Sequence, residues 1–290
     1  PIIINNNPVI TVNPVITGGT TTVVNNNNPL FNVNNNPVID LSLNNEIQNW
    51  LNQNVPTDGK FPVGAALTPK EKYENITEAA LPAMGTLPPK ADLATKMPPP
   101  GNQGNLGSCV SWSTAYALKS YQEGIEEKKP IVVNGKIDLN LVFSPSYLHN
   151  QLGNTSKDQG AYYSDVFEIV RTQGIAPMSK MPYNANDFST LPSAEAREAA
   201  KPYKIKSFNR VATEVGAIKT LISQGYPVPI IVPVDDNFDR LSKLNPIWKS
   251  YNPNSFRGYH AMVAIGYDDD KKAVKIINSW GLGWVEGGYG

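Results

Sequence analysis

Apolar side chains recur at three- and four-residue intervals in three stretches, the spacing that lines one face of a helix. The first starts at Cys109 and is expected to run to about Glu123, where Gly124 offers a left-handed stop. The second takes Ser164 as its cap, sets Val166, Ile169 and Val170 on one face and ends at Gln173 before Gly174. The third covers residues 213–223 and is stopped by Gly225. A shorter helix is expected over residues 69–80, with Thr68 as N-cap and Pro69 at its first position. The last third of the chain changes period, and residues 227–234, 260–267 and 273–278 are expected as strands. The final two strands join through Asp268, Asp269, Asp270, Lys271 and Lys272, a solvated hairpin turn. Helices early and antiparallel strands late predict an α+β fold in two lobes.

The first 45 residues follow neither period. They hold 14 asparagines, their only charged side chain is Asp40, and Pro-Val-Ile recurs at Pro8, Pro14 and Pro37. Asparagine and proline disfavour helix while valine, isoleucine and threonine favour extended chain, so residues 1–45 are taken as a low-complexity segment. One reading makes it a flexible lead without fixed structure, another an extended strand laid in a cleft. Residues 46–86 differ, carrying Trp50, Phe61 and Tyr73, apolar side chains enough to dock on something. Proline density between Leu87 and Pro100 keeps that stretch extended.

With 290 residues, 40% of them apolar, the chain can bury a full core. Charge is balanced, 25 basic against 25 acidic side chains, so nothing in the net field selects nucleic acid or an anionic membrane. The apolar run near residues 228–234 is interrupted by Pro229 and Pro233 and falls far short of the roughly 20 residues of a membrane span. A soluble protein is expected, with no cofactor and no metal. No charged-then-apolar leader is visible, and localisation is left open with a lean to a secreted or periplasmic protein.

Cys109 is the only cysteine, so it makes no intrachain disulfide. It lies in Gln103-Gly104-Asn105-Leu106-Gly107-Ser108-Cys109, just ahead of the first helix. His260 follows 151 residues later and Asn278 another 18 after that, the latter in Asn-Ser-Trp-Gly-Leu-Gly-Trp. A thiol at a helix N-terminus gains from the helix dipole, and a nearby imidazole adds to that effect. The other histidine, His149, lies 40 residues after the cysteine and is taken as structural.

In these motifs and their spacing the stretch from about Leu87 to Gly290 resembles the papain-like cysteine peptidases, and their bacterial branch more than the plant enzymes. The block from Asn278 to Trp284 followed by Gly287-Gly288-Tyr289 is nearest to the family's pattern. Around the nucleophile the chain departs from it. Leu106 stands where the family has the first cysteine of a disulfide, and Val110 where it has a tryptophan; Trp112 is the nearest aromatic that could replace that wall.

The resemblance implies a helical lobe over about residues 97–206 and a β lobe over about 207–290, with the active-site cleft between them and residues 46–86 as the rest of a prosegment or linker. It implies Cys109 thiolate and His260 imidazolium as the reacting pair, forming an acyl-enzyme, with Asn278 orienting the ring, Trp280 shielding that bond and Gln103 supplying an oxyanion donor. Gly160 and Ala161 match the family's glycine pair, and Tyr162, Tyr163, Tyr259 and Ala261 are candidates to line the neighbouring subsite. The partners implied are a polypeptide substrate and the chain's own N-terminal segment as intramolecular inhibitor. Endopeptidase is the leading reading. The rivals are a non-catalytic surface or partner-binding protein and a thiol transamidase or peptide ligase on the same scaffold.

Overall fold

The computed structural model describes residues 60–81, 85–153, 158 and 160–290, together with the backbone of an N-terminal strand. That strand, β1 (Ile2–Asn5), pairs antiparallel with β5 (Ser207–Arg210). The expectations for the rest of the first 45 residues lie outside the described residues.

A single long helix runs through the middle of the molecule. Helix α2 begins at Cys109–Ser111, winds as a π-helix over Trp112–Lys119 and resumes as an α-helix over Ser120–Glu126. From Cys109 to Tyr121 it is buried on every side because three cores meet on it, and only its last turn is exposed. Cys109, Val110, Ala115 and Leu118 face the core of the helical lobe, Ala117 and Tyr121 face the sheet, and Trp112 and Tyr116 enter a third cluster. Lys119, also buried, is paired with Glu123 one turn later. The helix does not stop at Gly124. That glycine lies against Ile131, where a side chain would crowd Ile131 Cγ1 at 3.3 Å, and the chain reverses only at Lys128 with φ 54. Close packing, not termination, explains the glycine. A two-residue hairpin pair, β3 (Val132–Val133) with β4 (Lys136–Ile137), follows the reversal.

The helical lobe adds α3 (Pro145–His149), α4 (Tyr163–Thr172) and α5 (Ala194–Ala200) around Phe143, Tyr147, Phe167 and Ile175. The cap of α4 is Tyr162 and not Ser164, and no side chain caps it. The expected helix over 69–80 shrinks to α1 (Lys70–Glu74), which buries no residue and so lacks the packing that sustains a short helix. Thr68 does not cap it; Pro69 occupies that place.

In the other lobe β7 (Gly258–Asp268) is the axis of a four-stranded sheet. It pairs antiparallel with β6 (Val228–Val234), with β8 (Ala273–Ile277) and with β2 (Lys90–Asp92). Since β6 is paired on one side only, its Pro229 and Pro233 remove no ladder bond that another described strand would need. Helix α6 (Val215–Ser223) covers the sheet through Ala217, Leu221 and Ile222. The register matters for the site. Ile277 lies opposite Val263, so Asn278 follows opposite Met262, on the same face as His260 and two residues along. No described helix is long and apolar enough to cross a membrane.

Candidate active site

Cys109 opens α2 and His260 lies near the start of β7, so the junction of the helix with the sheet brings the two lobes' contributions together. Helix and strand touch where the backbone N–H of Ala261 faces the thiol. Cys109 and His260 are both wholly buried. His260 Nε2 and Asn278 Oδ1 are 2.7 Å apart, and Ser279 N–H donates to the same oxygen at 2.7 Å. An oxygen at that position leaves Nε2 as the donor and puts the proton there. Nδ1 has no hydrogen-bond partner among the described residues. Trp280 stacks on the imidazole with centroids 4.4 Å apart and is 1% exposed.

Gln103 is held from three sides. Its N–H donates to Ser279 O at 2.8 Å, its Oε1 accepts from Ser279 Oγ at 2.7 Å, and its Nε2 donates to Leu106 O at 2.8 Å. The loop is steadied further by Tyr183, whose hydroxyl lies 2.7 Å from Gln103 O and 2.8 Å from Ser108 Oγ. Trp112 packs edge-on against Tyr116 and Tyr183, in a cluster separate from that of Cys109.

The cleft is occupied by the chain itself. Residues 61–66 run through it as an extended segment. Gln103 Nε2 and Trp280 Nε1 both donate to Pro62 O, at 3.2 and 3.3 Å. Phe61 stacks on Trp280 at 4.9 Å, and Val63 packs in the cluster that holds Trp280 and Trp284. Ala161 N–H donates to Gly64 O at 2.9 Å, Ala66 N–H to Ala161 O at 2.9 Å and Ala65 N–H to Tyr259 O at 3.0 Å. Gly160, at φ +73, lies so close that a Cβ there would be 2.3 Å from Gly64 O. Arg257 donates to Phe61 O at 2.5 Å and is paired with Asp239.

Among the expected subsite residues, Gly160, Ala161 and Tyr259 touch this segment, Ala261 faces the thiol, and Tyr162 is half-buried at the cap of α4. Tyr163 is buried beneath the cleft, its hydroxyl 2.7 Å from Ser113 Oγ and 3.3 Å from Met262 O. One of the two sequence readings lays the Asn/Pro-rich lead in the cleft; residues 61–66, from the following stretch, are the ones seen there among the described residues. Lys60-Phe-Pro-Val-Gly-Ala-Ala66 carries a trace of this in its sequence, an uncharged run of small and apolar residues from position 61 that cannot form a helix. Arg257 and Asp158 have no such mark.

Burial dominates the electrostatics. It pushes the Cys109 thiol up to about 11, only partly offset by the N–H groups of Ala261 and Gly64. It pushes His260 down to about 4, with Asn278 opposing and Arg257 assisting. In the covered cleft burial therefore disfavours the charged form of both groups.

A family model described as "Papain family cysteine protease" matches residues 87–290. Cysteine proteinase 1 of Entamoeba histolytica is 32% identical over 209 residues, which are 67% of this chain and 59% of that protein. The chain thus matches about three fifths of the length of that relative. Among solved structures, xylellain, a cysteine protease from Xylella fastidiosa, superimposes with a TM-score of 0.66 at 25% identity, over 79% of this chain and 88% of that one. The Carica candamarcensis cysteine protease CMS1MS2, solved with E-64, gives 0.52 at 27% identity over 70% and 87%.

Proposed function

The chain belongs to the papain family of cysteine proteases, and we propose from this that it is an endopeptidase held inactive by its own residues 61–66. Cys109 is the nucleophile and His260 its proton partner, working through Nδ1, the ring nitrogen that Asn278 leaves free. Once the segment leaves, water returns to the cleft, and the burial that keeps both groups neutral is relieved. The helix dipole and the adjacent imidazole then favour thiolate and imidazolium. The thiolate attacks a peptide carbonyl, and the oxygen that gains charge is met by Gln103 Nε2 and the Cys109 N–H. His260 passes its proton to the leaving amine, then takes one from water as the acyl-enzyme is hydrolysed.

The observation that carries this reading is Pro62 O on Gln103 Nε2. A peptide oxygen already rests on the donor that the reaction needs. The N–H of Gly64 also faces the thiol, so the segment passes directly over the nucleophile. Ala161 and Tyr259 meanwhile pair with the segment backbone as they would with a substrate strand.

The test is the rate of Cys109 alkylation by iodoacetamide across pH, in the intact chain and after limited proteolysis removes the residues ahead of Leu87. The trimmed protein is expected to label fast well below pH 7 and to cleave unblocked polypeptides internally. The intact chain is expected to label slowly until alkaline pH. Equal rates in both forms would remove autoinhibition, and a trimmed-form rate rising only near the ordinary thiol pKa of about 8.5 would remove the activated nucleophile.

A further inference from the structure

The loop that carries Gln103 and Cys109 is well fastened over its first half, by Ser279 and Tyr183. In its second half Gln103 Nε2 donates to Leu106 O and Tyr183 meets Ser108 Oγ, and the chain's single cysteine allows no disulfide there. Between those two fastenings the backbone of Gly107 is held by Asp158. One oxygen of this carboxylate, Oδ2, accepts the N–H of Gly107, two residues before the thiol. The other, Oδ1, accepts the N–H of Gly160 at 3.2 Å, one residue before Ala161. The same Oδ1 stands 3.3 Å from His149 Nε2. His149 is the last residue of α3 and is wholly buried. Neither ring nitrogen makes a hydrogen bond of full geometry among the described residues, so the approach of Asp158 Oδ1 to Nε2 is the charged contact that the buried ring has. Asp158 itself keeps only 20% of its side chain exposed. Burial alone would raise its pKa, but His149 and the N–H groups of Gly107 and Gly160 outweigh that and hold it below the usual carboxylate range.

We propose that His149 and Asp158 form a positioning pair that locks the nucleophile loop to the strand on which a substrate backbone pairs. The inference rests on the proposed peptidase mechanism, in which Cys109 attacks and Ala161 aligns the peptide. A carboxylate can bind two backbone segments at once because its two oxygens accept in different directions. Here those segments carry the attacking atom and the substrate's register, so their separation is set by one side chain. His149 in turn fixes the carboxylate's orientation from below. A glycine at position 107 lets the contact form, since a Cβ there would already be 3.0 Å from Asp158 Oδ2. Neither residue touches the reacting atoms, and both act through the backbone.

The test uses the full chain matured by limited proteolysis, as wild type, Asp158→Asn, His149→Gln and the double variant. Amide hydrogen exchange at Gly107 and Gly160, and kcat and KM per titratable thiol, are the readouts. Asp158→Asn is expected to speed exchange at both glycines at least about tenfold. It should lower kcat by about 10- to 100-fold, the scale of a small misplacement of reacting groups, at an unchanged fraction of titratable thiol. His149→Gln should move the same two amides and kcat in the same direction. The double variant should be no worse than Asp158→Asn, the non-additivity of a pair acting as a unit. Protected glycine amides with kcat within twofold of wild type in Asp158→Asn would overturn the proposal. So would a loss of rate that only follows the loss of titratable thiol. Exchange reads the clasp without reference to turnover, while wild-type hydrolysis reads the peptidase assignment, so the two can fail separately.

Discussion

In the proposed mechanism Gln103 serves two opposed ends through its side-chain amide, and a substitution there should separate them. In the matured protein Gln103→Ala removes an oxyanion donor, so kcat is expected to fall about 10²- to 10³-fold with little change in KM. In the intact chain the same change takes away one of the two donors on Pro62 O, leaving Trp280 Nε1. Labelling of Cys109 should then become faster, not slower. Steady-state kinetics and alkylation of the two forms check both signs, and a slower intact-chain rate would contradict the dual role. Gln103, Cys109, His260 and Asn278 are legible in the amino-acid sequence because each lies in a short motif whose neighbours do local work: Ser279 bonds Gln103, and Trp280 covers His260. Arg257, Gly64 and Asp158 are not. Their importance comes from partners 196, 43 and 51 positions away, and nothing in their own neighbourhoods marks it.

At the scale of elements, the segment from Phe61 to Ala66 is held mainly by backbone, and this makes Gly64 its weak point. A Cβ at that position would be 1.9 Å from Gly107 O, inside the loop that carries the nucleophile. Neither backbone can yield without breaking the bonds that define the cleft. Gly64→Val is therefore expected to expel the segment, bringing alkylation of the intact chain close to the trimmed rate. Turnover after trimming should match wild type, because residue 64 departs with the segment; a lower matured kcat would show that position 64 matters beyond inhibition. The helices and strands themselves are mostly legible in the sequence, since α4 and α6 carry a one-sided apolar stripe and β6, β7 and β8 are short apolar runs, while α2 is marked by the motif ahead of it and not by a stripe. Differences from expectation lie at their ends. Gly124 reads as a stop although it sits inside α2 for close packing, and α1 is shorter than its pattern because an exposed pattern without a buried face cannot sustain a helix. The cleft segment follows no period at all, being an irregular strand whose partners lie in both lobes.

For the molecule as a whole, a covered cleft links stability to pH with a definite sign. His260 is held at about 4 when folded and returns to about 6.5 on unfolding, so the unfolded chain binds the extra proton between those values. Its contribution is fully present above about pH 6.5 and is lost as pH falls toward 4. Cys109, raised by burial from the ordinary thiol range to about 11, acts at the other end, its contribution being lost as pH climbs through that window. The intact chain should thus be most resistant to urea between about pH 6.5 and 9. Between pH 7 and 5 the protonation of His260 alone should remove roughly 2 kcal/mol, and His260→Gln should flatten that part of the profile. Uncovering obeys a different rule. In the open cleft the pair keeps one proton as thiolate and imidazolium, and in the closed cleft it keeps one as thiol and imidazole, so removing the cover exchanges no proton in mild acid. The ratio of trimmed to intact alkylation rates should accordingly stay level from about pH 5 to 7 while urea resistance declines. It should drop only at alkaline pH, where the open form surrenders a proton that the closed form retains. Parallel acid dependence of the two measurements would mean that the open pair does not share its proton, and the ion-pair mechanism would have to be abandoned while the covered geometry stood.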